Sequence, residues 1–402
     1  MIQREAMQAG GAGGMWRPVS SGLCAVLIGI GLARFAYTPL LPALIQAGWF
    51  GPAQAAYLGA VNLAGYLVGA LLARWMARRM PVAMALRAMM LAAAVAFFAC
   101  AFPSSFAWFV AWRFVAGYAG GVLMALAAPA ALAQVPLARR GLAGGVIFTG
   151  VGLGIAASGT LVPLLLRQGL TATWLGLGLL ALLLTLAAWG GWPAQDAPGS
   201  AEARKAGPVP PGSSRWALFA LCAVYGLDAA GLVPHMVFLV DFVARGLDQG
   251  IDAGARYWIV FGCGALFGSL IAGRVADRIG FTAAMRLALL FQAVAILLPG
   301  VTDAPLALAA SSLIVGAFVP GIVPLTLGRV HELAAHDADR QRAAWSLATV
   351  AFALGQAGAG YGFSLIYARS GYAHLFDIAA AVLAAALVID LGASRFGRIS
   401  DA

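Results

Sequence analysis

Two side chains of opposite charge stand inside long apolar segments. Arg34 lies near the middle of residues 19–45, and Asp228 lies at a similar depth in residues 216–240. A cation at the centre of a bilayer costs about 3 kcal/mol on insertion scales, so such a group faces a bundle interior or a wet cavity and has a partner. A guanidinium in that position can hold a carboxylate or phosphate through two parallel hydrogen bonds. It can equally be a structural cation, satisfied by backbone carbonyls or by Asp228. The carboxylate is pulled two ways: burial disfavours its charge and a nearby Arg34 favours it. Balanced in that way, Asp228 can exchange a proton as a cavity opens alternately to each side. A permanent ion pair joining two halves of the molecule is the structural alternative.

Other polar groups share these segments. Tyr37 follows Arg34 by three positions, so on a helix the two share a face. It can hydrogen-bond a solute or serve as an interior aromatic. Arg113, in residues 106–134, either adds to the electrostatics of a cavity or snorkels toward the interface. Gly117 and Gly121 continue its face, which favours the inward placement. His235 lies seven residues after Asp228 and can relay protons or act as a hydrogen-bonded wall residue. Asn62 and Gln356 are amides at membrane depth. They line a pathway or bond neighbouring helices, a contribution of roughly 0.6–2 kcal/mol each. His374 and Asp377, three apart, are expected as an interface pair.

Catalysis finds little support. There is no Gly-x-Ser-x-Gly elbow, no His-Glu-x-x-His and no phosphate-binding Walker loop. Gly150-x-Gly152-x-Gly154 sits inside an apolar segment, without the strand-turn-helix setting of a dinucleotide site. Cys24, Cys100, Cys222 and Cys263 lack metal-ligand spacing and read as small buried hydrophobes. No catalytic residue, metal or cofactor is expected.

The elements that hold these groups must be membrane helices. Of 402 residues, 62% are hydrophobic and 10% charged, against roughly 25% charged in soluble domains. Twelve apolar segments meet the length of a span: 19–45, 54–77, 82–102, 106–134, 141–166, 171–192, 216–240, 255–276, 282–301, 305–328, 344–367 and 372–391. Backbone in lipid must satisfy its own hydrogen bonds, and the alternation of a barrel is missing, so the fold class is all-α. With the N-terminus placed in the cytoplasm, 19 of the 25 Arg and Lys residues fall in inner segments. Both termini are then inside. The net charge of +10 follows from those loops and does not imply nucleic acid, since no basic stripe is interleaved with stacking aromatics. Trp49, Trp75, Trp108, Trp174, Trp192, Trp216 and Trp258 fall near span ends, where an aromatic belt is expected. Pro39 and Pro42 are expected to bend the outer end of the first span, and Pro320 and Pro324 to kink the tenth. The first span is expected to remain as an anchor, because residues 1–18 lack a cleavage pattern.

The chain divides in two. Residues 193–215 form the one polar, Pro/Gly/Ser-rich connector, a flexible linker by composition. It separates a six-span bundle at 19–192 from a second at 216–391, with tails at 1–18 and 392–402. The halves repeat each other: Ala73-Arg-Trp-Met-Ala-Arg-Arg-Met follows the second span, and Gly273-Arg-Val-Ala-Asp-Arg-Ile-Gly follows the eighth. Internal repeats of this kind mark transporters, with binding sites at the repeat interface near the midplane.

Gly273-x-x-x-Asp277-Arg278-x-Gly280 resembles the loop signature of the major facilitator superfamily in its second-half copy. Arg113-x-x-x-Gly117 resembles that superfamily's motif in the fourth span, and Gly29-Ile-Gly-Leu-Ala-Arg-Phe-Ala-Tyr-Thr-Pro-Leu-Leu-Pro42 resembles the opening of its bacterial YbfB/YjiJ-like branch. The first-half loop departs, with Ala73 and Ala77 where the signature has Gly and Asp. The fifth span lacks the Gly-Pro pair of the drug–proton antiporters. The resemblance implies two pseudo-symmetric six-helix bundles, a gating loop built from Gly273, Asp277, Arg278 and Gly280, and a role for Arg113 in proton transfer or cavity electrostatics.

The expected protein is a secondary active transporter of a small organic solute in the bacterial inner membrane. It works by alternating access, with Arg34, Tyr37, Arg113, Gln356 and Asn62 at the solute and Asp228 and His235 handling protons. Efflux is the first expectation, by family analogy, and proton-coupled uptake of an organic anion the second. Its expected partners are the solute, protons and the lipid bilayer, without an obligate protein partner. A membrane-embedded sensor or enzyme would need an output domain or a clustered nucleophile, and neither is legible.

Overall fold

The computed structural model describes residues 15–136, 139–192, 214–334 and 338–400. Among the described residues every regular element is a helix. The linker at 193–213 and most of the N-terminal tail lie outside the described residues.

Helix α1 (residues 15–26) passes into a π-helical turn at Leu27–Leu32, opens at 33–36 and resumes as α2 (Tyr37–Gln46). The first span is therefore widened but continuous, with its amides still bonded four or five residues back, and the widening comes before Pro39 and Pro42. Its cause is local packing. A Cβ at Gly31 would lie 2.7 Å from the Cα of Gly154, and one at Gly29 would lie 3.1 Å from the Cα of Gly120. Backbone this close demands glycine, and widened π turns commonly mark functional sites.

Six further helices follow: α3 (Pro52–Arg79), α4 (Val82–Ala99), α5 (Phe106–Leu132), α6 (Arg140–Leu166), α7 (Leu170–Ala188) and α8 (Ser214–Gly231). After Leu232 come α9 (Val233–Asp241) and a π-helical turn at Phe242–Gly246. The chain ends with α10 (Ile251–Ile279), α11 (Phe281–Val301), α12 (Pro305–Leu333), α13 (Ala338–Ser370) and α14 (Leu375–Ser400). The last helix runs past residue 391, where a tail was expected. Pro320 and Pro324 both lie inside α12.

Among the described residues eleven helices are long and apolar enough to cross a membrane. The expected eleventh span, 344–367, is not one of them. It lies in α13, which is 33 residues long, so length is not the reason. Gly, Ser, Thr, Tyr and Gln356 dilute its apolar content, although Leu347, Leu354 and Leu365 are exposed along it as in the other spans.

Contacts divide the chain into two compact units. One comprises Met1–Tyr37 and Ala64–Glu202, the other Thr38–Leu63 and Ala203–Ala402. The cut differs from the expected 19–192 and 216–391 by the segment Thr38–Leu63. This segment belongs to the second unit: the Thr38 hydroxyl donates to the Met236 carbonyl, and the Tyr57 and Tyr361 rings lie 6.4 Å apart.

Glycine ridges hold the helices together within each unit. In the first, α3 crosses α5 backbone to backbone: a Cβ at Gly65 would lie 3.0 Å from the Tyr118 nitrogen, and one at Gly121 2.7 Å from the Ala70 nitrogen. In the second, α10 meets α12 in the same manner, with a Cβ at Gly264 reaching 2.8 Å from the Ala317 nitrogen. Without a hydrophobic drive between helices in lipid, such close approach supplies the association energy. The glycines of α6 are a packing surface for the first helix too, since a Cβ at Gly150 would lie 2.8 Å from the Leu23 carbonyl.

Several aromatic and sulfur groups sit differently from expectation. Trp174, Trp192 and Trp258 are buried, the Trp174 ring beside Phe97 and Phe109 and the Trp258 ring stacked on Phe261 at 4.8 Å. They fill bundle interiors and do not form a lipid-facing belt, whereas Trp75, Trp108 and Trp216 are exposed. Cys100 and Cys222 are buried as expected, but Cys24 is half-buried and Cys263 exposed.

Two ionic clusters staple the second unit. Asp390 holds Arg286 at 2.7 Å and Arg329 at 3.1 Å. Asp241 pairs with Arg245 at 2.5 Å and accepts from the Tyr367 and Tyr372 hydroxyls at 2.9 and 2.6 Å, joining α9, α13 and the turn before α14. Removing one partner of a buried pair typically costs about 3–5 kcal/mol, because the other charge is left uncompensated. Arg245 is partly exposed, so the low end applies: Asp241→Ala is expected to lose about 3 kcal/mol, read as a lowered Tm of the detergent-solubilised protein.

Candidate functional site

Each unit carries its own polar cluster. In the first, the opened turn at 33–36 is bracketed by two guanidiniums. Arg34 projects from the turn itself, is half-buried, and sits 5.2 Å from the Phe35 ring and 5.4 Å from the Tyr66 ring. Cation–π contacts of this kind are worth roughly 0.5–2 kcal/mol, increasing as water is excluded. They also fix the guanidinium plane, which a bidentate site requires.

Arg113 comes from α5 and is 2% exposed. It donates through Nη1 to the Ala33 carbonyl at 2.9 Å and lies 4.3 Å from the Tyr37 ring. The side chain is thus turned into the bundle and does not snorkel. Its donor and charge serve the backbone where the helix departs from regular bonding. Tyr37, buried, faces Arg113.

The second unit holds the acid. Asp228, on α8, is fully buried and accepts from Gln292 Nε2 of α11 at 2.9 Å. Its Oδ2 has no hydrogen-bond partner among the described residues, and neither has Gln292 Oε1. His235 follows on α9, just past Leu232, where the backbone stays bonded from Asp228 through Met236. His235 Nε2 lies 2.7 Å from Ser311 Oγ, and that hydroxyl donates to the Ala295 carbonyl at 2.6 Å. A hydroxyl has one hydrogen, so Nε2 must be the donor of this pair and Nδ1 carries the lone pair. The Phe376 ring closes the site edge-on at 5.3 Å.

Gln356 is buried and donates to the Met236 sulfur at 3.7 Å, while its Oε1 has no partner among the described residues. Asn62 is buried in the same unit, on the part of α3 that belongs to it. Arg34, Tyr37 and Arg113 therefore come together in one unit, and Asp228, His235, Gln356 and Asn62 belong to the other.

The gating-loop residues form the last turn of α10 and its exit. Asp277 and Arg278 are exposed, and Gly280 turns the chain at φ 83° into α11. Asp277 is therefore near the C-terminus of α10, where the macrodipole opposes a carboxylate. A Cβ at Gly273 would meet nothing within 4 Å. His374 and Asp377 pair at 3.6 Å on the surface.

Three participants escape sequence reading. Tyr66 carries no signal, being one aromatic in an apolar helix. Gln292 has the same signal as Asn62 and Gln356, an amide inside a span. The Asp241–Arg245 pair is announced by its four-residue spacing. Among the described residues no three His, Cys, Asp or Glu side chains group to hold a metal ion.

A family model described as an uncharacterised MFS-type transporter, YbfB, matches residues 26–391. No curated protein matches the chain.

Proposed function

Because the chain belongs to the YbfB family of major facilitator-type transporters, and is thus a multi-pass membrane transporter, we propose that it exports a small organic solute in exchange for protons. The observation that carries the proposal is the opened turn of the first helix, bracketed by Arg34 and Arg113. Widened π turns inside helices are frequent at functional sites, and transporters place their sites where helices depart from regular bonding. Arg34 takes an anionic or strongly polar group of the solute, and Tyr66 and Tyr37 offer ring faces beside it. Asp228 carries the proton, and its protonation alternates with the solute as the two halves rock. Both termini lie on the cytoplasmic side of a bacterial inner membrane, an orientation that the Arg and Lys bias supports. The segment around Asp277 and Arg278 acts at the inner gate. Proton-coupled uptake of an organic anion is the second reading, favoured by the presence of two guanidiniums in one cluster.

Purified protein in proteoliposomes separates these readings. A thermal-shift screen of metabolites and drugs at two pH values supplies the test solute. Counterflow is then measured with and without an imposed pH gradient. Export predicts accumulation against a gradient that drives protons the opposite way, and uptake predicts the reverse. Asp228→Asn is expected to keep gradient-free counterflow and lose at least tenfold of the gradient response. A gradient response equal to wild type in that variant would remove Asp228 from the mechanism.

A further inference from the structure

We propose that Gln292 completes the proton site at Asp228, one proton on Asp228 Oδ2 being shared with Gln292 Oε1. The inference rests on the reading of Asp228 as the proton carrier and assigns it a partner. Both side chains are fully buried, and one hydrogen bond already joins them, from Gln292 Nε2 to Asp228 Oδ1 at 2.9 Å. Each then retains one oxygen without a partner among the described residues, Oδ2 on the acid and Oε1 on the amide. Two acceptors cannot satisfy each other, and an unsatisfied buried acceptor typically costs about 1–3 kcal/mol. A carboxylic acid and a carboxamide are complementary, each supplying one donor and one acceptor. A single proton on Oδ2 converts the two orphan oxygens into a donor and an acceptor and closes a two-bond pair. Loss of that proton opens it again, leaving Gln292 with one bond to a carboxylate.

Of the other titratable groups on the helices packed around α8 in this unit, Cys222 on α8 is a free thiol, and three acid–base groups are engaged elsewhere. His235 is held by Ser311, Asp241 by Arg245 and two tyrosines, and Asp390 by Arg286 and Arg329. Tyr225, on α8 itself, packs its ring against Phe352. Gln292, hydrogen-bonded to Asp228 Oδ1, is placed to read its charge. It also sits three residues before Ala295, whose carbonyl anchors Ser311 and through it His235. A shift of Gln292 on protonation acts on the helix that holds both acid–base groups.

The test is infrared difference spectroscopy of the full chain in liposomes, titrated with pH. Wild type is expected to show a protonated-carboxyl carbonyl band that Asp228→Asn removes. In Gln292→Leu, which keeps the side chain's bulk and excludes water, the band is expected to move to higher frequency, because the acid has lost its hydrogen-bond partner. In wild type carrying 13C at glutamine side-chain carbonyls, a carboxamide band is expected to change with the same pH midpoint, a reading that needs no variant to fold. A carboxyl band present in wild type and lost in Asp228→Asn, but unmoved in Gln292→Leu and untracked by any glutamine band, overturns the role of Gln292 and leaves the proton on Asp228 standing. Absence of any band sensitive to Asp228→Asn overturns both.

Discussion

Arg34→Ala is expected to abolish solute counterflow while the protein inserts and purifies like wild type. The side chain is half-buried and contributes cation–π contacts rather than core volume, so its loss opens no large cavity in the packed glycine ridges. What it removes is a charge held rigidly at an opened turn. Hydrogen bonds to charged groups contribute about 1.5–3 kcal/mol each, so losing a bidentate pair lowers affinity by at least two orders of magnitude. Arg34→Lys keeps the charge but not the planar fork and is expected to recover only part of the rate. The checks are counterflow and the thermal shift caused by the test solute. Unimpaired counterflow in Arg34→Ala would count decisively against the site. The same experiment on Arg113→Ala discriminates two roles, since Arg113 also serves the Ala33 carbonyl and its loss is expected to lower Tm as well.

Gly268→Val is expected to prevent the second unit from assembling. A Cβ at this position would fall on the backbone of Ala317, 2.6 Å from its carbonyl carbon. Nothing there can rotate away, so α10 and α12 must separate along their whole contact. Ordinary overpacking costs about 1–3 kcal/mol, and here the obstruction is main chain rather than a flexible side chain, so the cost exceeds that range. The measurement is the monodisperse yield after detergent extraction, with Gly273→Ala as the control. Gly273 lies on the same helix with open space at its Cβ, and alanine there is expected to leave yield unchanged or raise Tm slightly. Equal yields for the two variants would show that the ridge does not carry the packing. The control also bears on the loop signature, because a glycine without steric need in this conformation is required, if at all, in another one.

Much of this was legible from pattern alone. Long apolar runs give membrane helices because backbone in lipid has no other way to satisfy its hydrogen bonds. Gly117 and Gly121 mark a small-residue face by their spacing, and Gly121 does meet the α3 backbone, 2.7 Å from the Ala70 nitrogen. Arg34 and Asp228 stood out because charge in an apolar run is rare. The less apolar 344–367 matches the other spans in length, and only its share of Gly, Ser, Thr and Gln sets it apart. Trp174 and Trp258 were misread. Proximity to a span end places a residue along the membrane normal but does not say which way its side chain faces.

The amino-acid order by itself determined the class of this protein, its duplicated layout and the few charges that lipid would not tolerate, because each of these follows from local composition and period. Tertiary structure alone decided where the first helix opens, since that depends on Gly31 meeting Gly154, two residues more than a hundred positions apart. It alone turned Arg113 inward onto the Ala33 carbonyl and set Gln292 against Asp228. Partner choice among buried polar groups is a matter of distance between helices, and no spacing along one chain segment encodes it.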